Sequence, residues 1–169
     1  MMIEIQNTIM GHSRIILIGK TACGKTFLKD KFTNRGFSNE VSYTTRLPRE
    51  GEINGVDYFF VTEEIFVKMI EEGQMFEHVN FNGNYYGTSV EQWNSKNLFI
   101  FNVEGVKLIP EEDRKSCFII YIDTNEQIRR QRLITRGDSQ DKINKRIEAD
   151  EIEFEGLTEN MYDLKIQNS

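Results

Sequence analysis

The plainest chemistry in this chain lies in Gly19-Lys20-Thr21-Ala22-Cys23-Gly24-Lys25-Thr26, a Gly-x-x-x-x-Gly-Lys-Thr loop. Glycines at 19 and 24 let the backbone curl so that successive N–H groups point inward at phosphate oxygens. Lys25 then reaches the terminal phosphates, and the Thr26 hydroxyl is offered to Mg²⁺. The apolar run Arg14-Ile15-Ile16-Leu17-Ile18 directly precedes the loop and an amphipathic stretch, Phe27 to Phe32, follows it. This is the strand-loop-helix order of a P-loop, with the helix N-terminus facing the phosphates. The spacing points to a bound nucleoside triphosphate and does not say what becomes of it.

Two further groups of side chains suit anions. Arg46, Arg49, Tyr58, Tyr85 and Tyr86 supply guanidinium forks and phenol hydroxyls, the donors that hold a phosphate with no backbone cradle of its own. Read singly, each is equally a charged turn residue or a core aromatic. Residues 125–147 carry Arg129, Arg130, Arg132, Arg136, Lys142, Lys145 and Arg146 against Glu126, Asp138 and Asp141. Arg129, Arg132 and Arg136 stand at i, i+3 and i+7, on one helix face, before the break Arg136-Gly137-Asp138-Ser139. On spacing alone this is a solvated face; beside a P-loop it reads as a phosphate-closing lid.

The whole chain limits what these groups can serve. Its 169 residues suffice for one domain with a full core and for one active site. A net charge of -6 argues against a general nucleic-acid or anionic-membrane surface, so any phosphate site is a local basic island. No apolar stretch reaches transmembrane length and the N-terminus lacks signal-peptide order, which makes a cytoplasmic protein the expectation. Cys23 and Cys117 form neither a disulfide framework nor a metal cluster. Neither His12 nor His78 sits in a recognisable nucleophile–base arrangement.

The elements that must position the site follow from periodicity. Residues 1–13 show none and are expected to be a poorly ordered or accessory lead-in. A helix is expected from Lys25 to Arg35, then short strands near Glu40 to Tyr43 and Asp57 to Val61. Thr62 caps a helix to about Glu72 whose buried stripe is Ile65, Phe66, Met69 and Ile70. Met75 to Phe81 and Tyr85 to Thr88 form a hairpin through Asn82-Gly83. Leu98 to Val103 and Cys117 to Ile122 are continuous apolar runs, as central parallel strands are, each followed by helical pattern. Helices over Asn125 to Arg136 and Lys142 to Glu155 and a last strand, Tyr162 to Gln167, complete an α/β fold. The expected architecture is a three-layer P-loop core with a parallel sheet of about five strands, an inserted mixed or antiparallel lobe and a helical lid. It is one domain: core 14–39 and 90–169, lobe about 40–89, lid about 132–146.

Val41-Ser42-Tyr43-Thr44-Thr45-Arg46-Leu47-Pro48-Arg49-Glu50-Gly51-Glu52, Gly55-Val56-Asp57-Tyr58-Phe59-Phe60-Val61 and Gly83-Asn84-Tyr85-Tyr86-Gly87-Thr88 closely resemble the nucleotide-binding lobe of the guanylate kinases. With the P-loop and Arg132 to Arg146, the resemblance spans about Arg14 to Asn168. It implies an ATP:GMP phosphotransferase, with ATP and GMP or dGMP as partners and Mg²⁺ as cofactor. By resemblance, Arg46, Arg49, Tyr58 and Tyr86 hold the acceptor phosphate, and Ser42, Glu77 and Thr88 match guanine-contacting positions. Glu77 suits that role because guanine offers adjacent N–H donors at N1 and N2 to an acceptor-only carboxylate. Gly19, Thr21, Ala22, Cys23, Gly24, Lys25 and Thr26 form the ATP-phosphate site, Thr26 at the metal. Arg132, Arg136 and Arg146 match the lid arginines that join Lys25 and Arg46 in catalysis, and Asn168 falls near the donor adenine.

The chain departs from the family at Ile100 and Asn102, positions that are usually acidic. Asn102 keeps a hydrogen-bonding side chain near guanine but supplies no negative charge to hydrated Mg²⁺. Only Asn168 and Ser169 follow the last strand, where relatives commonly continue into a helix, so a more open donor-base pocket is expected. One other reading stays open, a catalytically weak nucleotide-binding or protein-interaction module of this kind; a P-loop NTPase switch lacks support, since no base-recognition motif of that class is found.

Overall fold

A computed structural model describes Ile9, residues 11–81 and residues 83–169. Four parallel strands form the core sheet among these residues, in the order β6 (Leu98–Ile100), β1 (Arg14–Ile18), β7 (Cys117–Asp123), β8 (Leu164–Gln167). β1 pairs with β6 and β7 on its two sides, Ile16 standing opposite Phe99 and Ile119. Both faces of β1 are apolar because both are covered. Ile15 and Leu17 pack with Leu28 and Phe32 of α1 (Lys25–Thr33), while Ile16 and Ile18 pack with Phe99, Phe101 and Trp93. This gives the three layers. The fifth strand expected from the sequence is reduced to one parallel bridge, Asn39 to Leu98, because the chain leaves the sheet edge there for the lobe.

The lobe carries its own sheet, ordered β3 (Phe59–Phe60), β2 (Tyr43–Thr44), β5 (Asn84–Ser89), β4 (Met75–Phe81), with β2 parallel to β3 and antiparallel to β5. β2 thus starts later than the expected Glu40. Gly83 takes the positive φ of 73° that a tight turn needs; Asn82 lies outside the described residues. α2 (Glu63–Glu71) is capped by Thr62, whose hydroxyl accepts from Ile65 N–H. Phe66 and Met69 are its buried stripe; Ile65, expected there, is 50% exposed because it sits on the turn beside the cap. Phe76 of β4 stacks on Trp93 of α3 (Val90–Ser95), joining lobe to core.

β6 stops at Ile100 rather than Val103 because Asn102 caps α4 (Val103–Lys107), its Oδ1 accepting from Gly105 N–H at 2.7 Å. After α5 (Glu111–Arg114) and β7, the arm is a pair of packed helices, α6 (Glu126–Thr135) and α7 (Gln140–Phe154), joined over Leu133, Ile143 and Ile147. Of the expected lead-in, residues 1–8 and 10 lie outside the described residues, and Ile9 belongs to the core beside Leu28 and Phe118. Arg129 does not share a solvated face with Arg132 and Arg136; it is 1% exposed. Its Nη1 donates to Asp150 Oδ2 at 2.7 Å and its Nη2 to Glu151 Oε1 at 3.1 Å.

Breaking a buried ion pair strands the surviving charge. Asp150→Ala should therefore lower the unfolding free energy by about 3–5 kcal/mol in urea titrations. Glu151→Ala, at the half-exposed side, should lower it by no more than about 1 kcal/mol.

Candidate active site

A cleft of about 1240 Å³ opens between the P-loop, the lobe and the arm, and the P-loop forms its floor. Gly19 is irreplaceable on steric grounds: with φ at 157°, a Cβ would lie 2.6 Å from the Ile122 carbonyl oxygen. Ala22, with φ at 61°, is the one non-glycine residue of positive φ among the described residues, so the loop holds strained backbone at its apex. Loop carbonyls find donors from several directions. Lys25 Nζ donates to Gly19 O and, at 3.1 Å, to Lys20 O. Arg132 Nη1 donates to Ala22 O at 3.1 Å. Thr124 Oγ1 and Asn168 Nδ2 both donate to Cys23 O, at 3.0 and 2.7 Å. Asp150 accepts from Thr21 N–H and Thr21 Oγ1–H, each at 2.9 Å, so both groups are committed to the arm.

Across the cleft stands the acceptor half. Arg46 is clamped by Glu52, Nη1 and Nη2 each donating to one carboxylate oxygen at 2.9 Å, and its guanidinium lies over the Tyr58 ring. Burial and the nearby Arg146 and Arg46 charges hold Arg49 below its ordinary pKa. Lobe and arm guanidinium groups thus converge on one space with the electrostatics of an anion site. Tyr58 and Tyr86 meet edge-on beside it. Tyr85 does not belong to this group: it stacks on Phe66 in the lobe core, since successive β5 residues face opposite sides.

Farther along the lobe wall, strand register makes a polar row. Glu77 lies opposite Thr88, and Tyr43 opposite Gly87, which brings Ser42 level with Thr88. Glu77, 6% exposed, accepts from Thr88 N–H at 3.0 Å. Ser42 and Glu77 line the cleft, whereas Thr88 is fully buried behind the wall. Behind them lies a carboxyl the sequence did not single out, Glu40, whose Oε1 accepts from the Ser42 hydroxyl. Burial, with Glu77 close by, pushes Glu40 up to about 8 against the Ser42 bond; burial raises Glu77 to about 7.

Gly24, Thr26, Ile100, Asn102, Arg136, Lys142, Lys145 and Arg146 complete the wall. The structure therefore brings the phosphate, lid and base residues named by the resemblance around one cleft, with Thr88 just outside the wall, while Tyr85, Arg129 and Arg130 stand apart from it. Besides Glu40, sequence reasoning missed Glu52, Asp150, Thr124 and Glu153; Glu153 Oε1 accepts from Val103 N–H at 3.0 Å. Glu52 had a usable signal, three residues after Arg49 in a charged turn; the others are joined to their partners only by the fold.

Comparison with known proteins bears on the same residues. The family described as guanylate kinase matches residues 11–169. Guanylate kinases of Listeria monocytogenes serotype 4b (strain F2365) and Listeria innocua serovar 6a are each 32% identical over 164 residues, covering 91% of this chain and 79% of theirs. The crystal structure of guanylate kinase from Anaplasma phagocytophilum superposes with a TM-score of 0.69 at 23% identity, over 94% of this chain and 77% of that one, and shows the same fold.

The two raised carboxyls set a pH dependence. The unfolded chain releases these protons near 4.5, whereas the folded chain keeps them until about 7 and about 8. Between those values the folded state binds more protons, so stability falls as pH rises, by an amount on the order of a few kcal/mol. Urea titrations from pH 5 to pH 8.5 should show this decline, and Glu40→Gln should flatten it.

Proposed function

The chain belongs to the guanylate kinase family, and from that premise we propose that it transfers the γ-phosphoryl group of ATP to GMP or dGMP, giving ADP and GDP or dGDP. One observation carries the reading: a P-loop and a Ser42–Glu77 wall face each other across one cleft, with guanidinium groups of lobe and arm between them. In this proposal residues 14–39 and 90–169 are the core, about 40–89 the acceptor lobe and about 132–146 the lid. No helix among the described residues is long and apolar enough to cross a membrane, in keeping with the cytoplasmic location proposed here.

Each residue has a part that its position supports. Inward amides of the Gly19 to Thr26 loop cradle the donor phosphates, with Thr21 bracing the loop on Asp150, and Lys25 leaves its own loop carbonyls to meet them. Asn168, anchored on Cys23 O, borders the donor end of the cleft. Arg46, Arg49, Tyr58 and Tyr86 hold the acceptor phosphate, Ser42, Glu77 and Asn102 its base, and Thr88 backs Glu77 through its amide. An acceptor phosphate is already largely anionic at neutral pH, so alignment replaces general-base catalysis. Arg132, Arg136 and Arg146 close over the transferred group, stabilise its charge and exclude water that would otherwise be phosphorylated.

The donor set fits magnesium. Among the described residues no three His, Cys, Asp or Glu side chains converge as a cage. Of the two threonines on the phosphate floor, Thr21 gives its hydroxyl to Asp150, which leaves the Thr26 hydroxyl as the provision expected for an ion that keeps most of its waters. The Thr26 hydroxyl would hold Mg²⁺ there, and the ion would supply neutralising charge to the donor phosphates.

A coupled assay of ADP formation with GMP, dGMP, AMP and UMP tests the reading: turnover is expected with the guanine nucleotides and little with the others. ATP binding without turnover on any guanine nucleotide would instead support the weak binding-module alternative. Lys25→Ala and Arg46→Ala should each lower kcat/KM at least about 100-fold, the first through ATP and the second through GMP. Asn102→Asp keeps an N-cap for α4, so it should fold normally. Its added carboxylate should raise activity or lower the Mg²⁺ requirement in a magnesium titration.

A further inference from the structure

Lys20 and Thr21, the residues that open the P-loop after Gly19, are both gripped by the arm. Asp150 and Glu151, neighbours on α7, do the gripping: Asp150 accepts from Thr21 N–H and from the Thr21 hydroxyl, and Glu151 Oε2 accepts from Lys20 Nζ. One guanidinium holds both carboxylates. Arg129 of α6 gives Nη1 to Asp150 and Nη2 to Glu151, while its Nε is buried with no hydrogen-bond partner among the described residues. A ring is thus closed from Lys20 through Glu151, Arg129 and Asp150 to Thr21, and it begins and ends on adjacent residues of the loop. Its place follows from helix period. Leu133 packs on Ile143 and Ile147, and the next members of that seam toward the loop are Arg129, four residues before Leu133, and Asp150, three after Ile147.

An ion pair sealed this deeply is a poor device for stability, since apolar side chains of similar volume would close the seam as well. What it serves is the loop. Thr21 precedes Ala22, the residue of positive φ, whose carbonyl is held by Arg132 from the same arm. With the Thr21 amide and hydroxyl both fixed, the chain enters the strained turn in one direction, and the amides beyond it are aligned before a phosphate arrives. Asp150 also borders the cleft floor, where a lone carboxylate would repel a triphosphate. Arg129 supplies the opposite charge at 2.7 Å, so the loop receives acceptors without a net negative charge beneath the donor phosphates.

We propose that Asp150 is a positioning residue for ATP, which sets the donor loop through Thr21, and that Arg129 is the counter-charge that lets a carboxylate do so beside a triphosphate. This rests on the Gly19 to Thr26 loop being the ATP site. It extends that reading by making donor affinity depend on two side chains that never touch the nucleotide, at the roots of the helices that carry Arg132 and Arg146.

The test compares two double variants that both remove the charges. Arg129→Leu with Asp150→Ala leaves Thr21 no acceptor. Arg129→Leu with Asp150→Asn keeps one, Oδ1 for Thr21 N–H, with an amide that donates to the Thr21 hydroxyl. Titrated by calorimetry, Mg-ATP should bind the first about tenfold more weakly than wild type and the second within about threefold of wild type. KM for GMP at saturating ATP should stay within about twofold in both. Arg129→Leu alone, which leaves the carboxylate unpaired, should bind Mg-ATP more weakly than the asparagine-bearing variant. Equal Mg-ATP affinities in the two double variants would overturn the proposal, as would equal losses toward ATP and GMP, which a packing role alone produces. Thr21→Val keeps the ion pair and loses only the hydroxyl bond to Asp150, and should weaken Mg-ATP binding about threefold. An unchanged affinity there would overturn the proposal even if neither double variant folds. Wild-type protein that binds no Mg-ATP would refute the donor-site reading itself, a failure distinct from these.

Discussion

A loop that turns its amide protons toward a phosphate must find partners for the carbonyls it turns away, and the rest of this fold is arranged around that need. Gly19 and Lys20 carbonyls are held by Lys25, Ala22 by Arg132, and Cys23 by Thr124 and Asn168. These donors come from the first helix, the end of β7, the arm and the residue after β8. Thr21 is held from a further direction by Asp150. The strain at Ala22 persists because so many elements oppose its relaxation. Lys25, the cation of the motif, is itself one of the donors that satisfy the loop.

The lobe solves a different problem, holding charge without a backbone cradle. Arg46 is fixed by Glu52 on one edge, which leaves its other surfaces to an anion and prevents the guanidinium from wandering. Arg49 reaches the same Glu52 only at 3.9 Å, and burial together with the Arg146 and Arg46 charges keeps its pKa depressed, a strain that an anion would relieve. The base wall applies the opposite sign. Its buried carboxyls are costly unless one keeps a proton, so the lobe presents cationic and acidic ends within one sheet. A nucleoside monophosphate, anionic at one end and rich in N–H donors at the other, matches that polarity.

Much of this was legible in the sequence, for reasons tied to particular residues. The P-loop spacing and the unbroken apolar run at Cys117 were enough for the core, since a motif and a doubly covered strand are local patterns. The lobe residues followed from family resemblance. Misreadings arose where a residue's environment is made by distant chain. Arg129 fitted a solvated helix face by spacing, yet it is buried by its ion pair with Asp150, 21 residues away. Tyr85 and Tyr86 are adjacent and chemically alike, and only the pleat sends one to the lobe core and the other to the cleft. Glu40 looked like the polar start of a strand; its significance depends on Thr88 and Glu77, which reach it only through sheet register.

The bond from Asn168 to Cys23 spans 145 residues, and it has a meaning for synthesis. The P-loop leaves the ribosome early, with its strand and helix, but the donor for one of its carbonyls and the β8 strand that carries it come long afterward. Until then a nascent chain holds the Gly-Lys-Thr motif without the brace that shapes it. Loop closure over such a separation also slows folding, because chain entropy must be lost before the contact forms. The donor site is thus among the first parts to be made and among the last to mature, and a growing chain with a complete P-loop sequence would not yet own a complete P-loop.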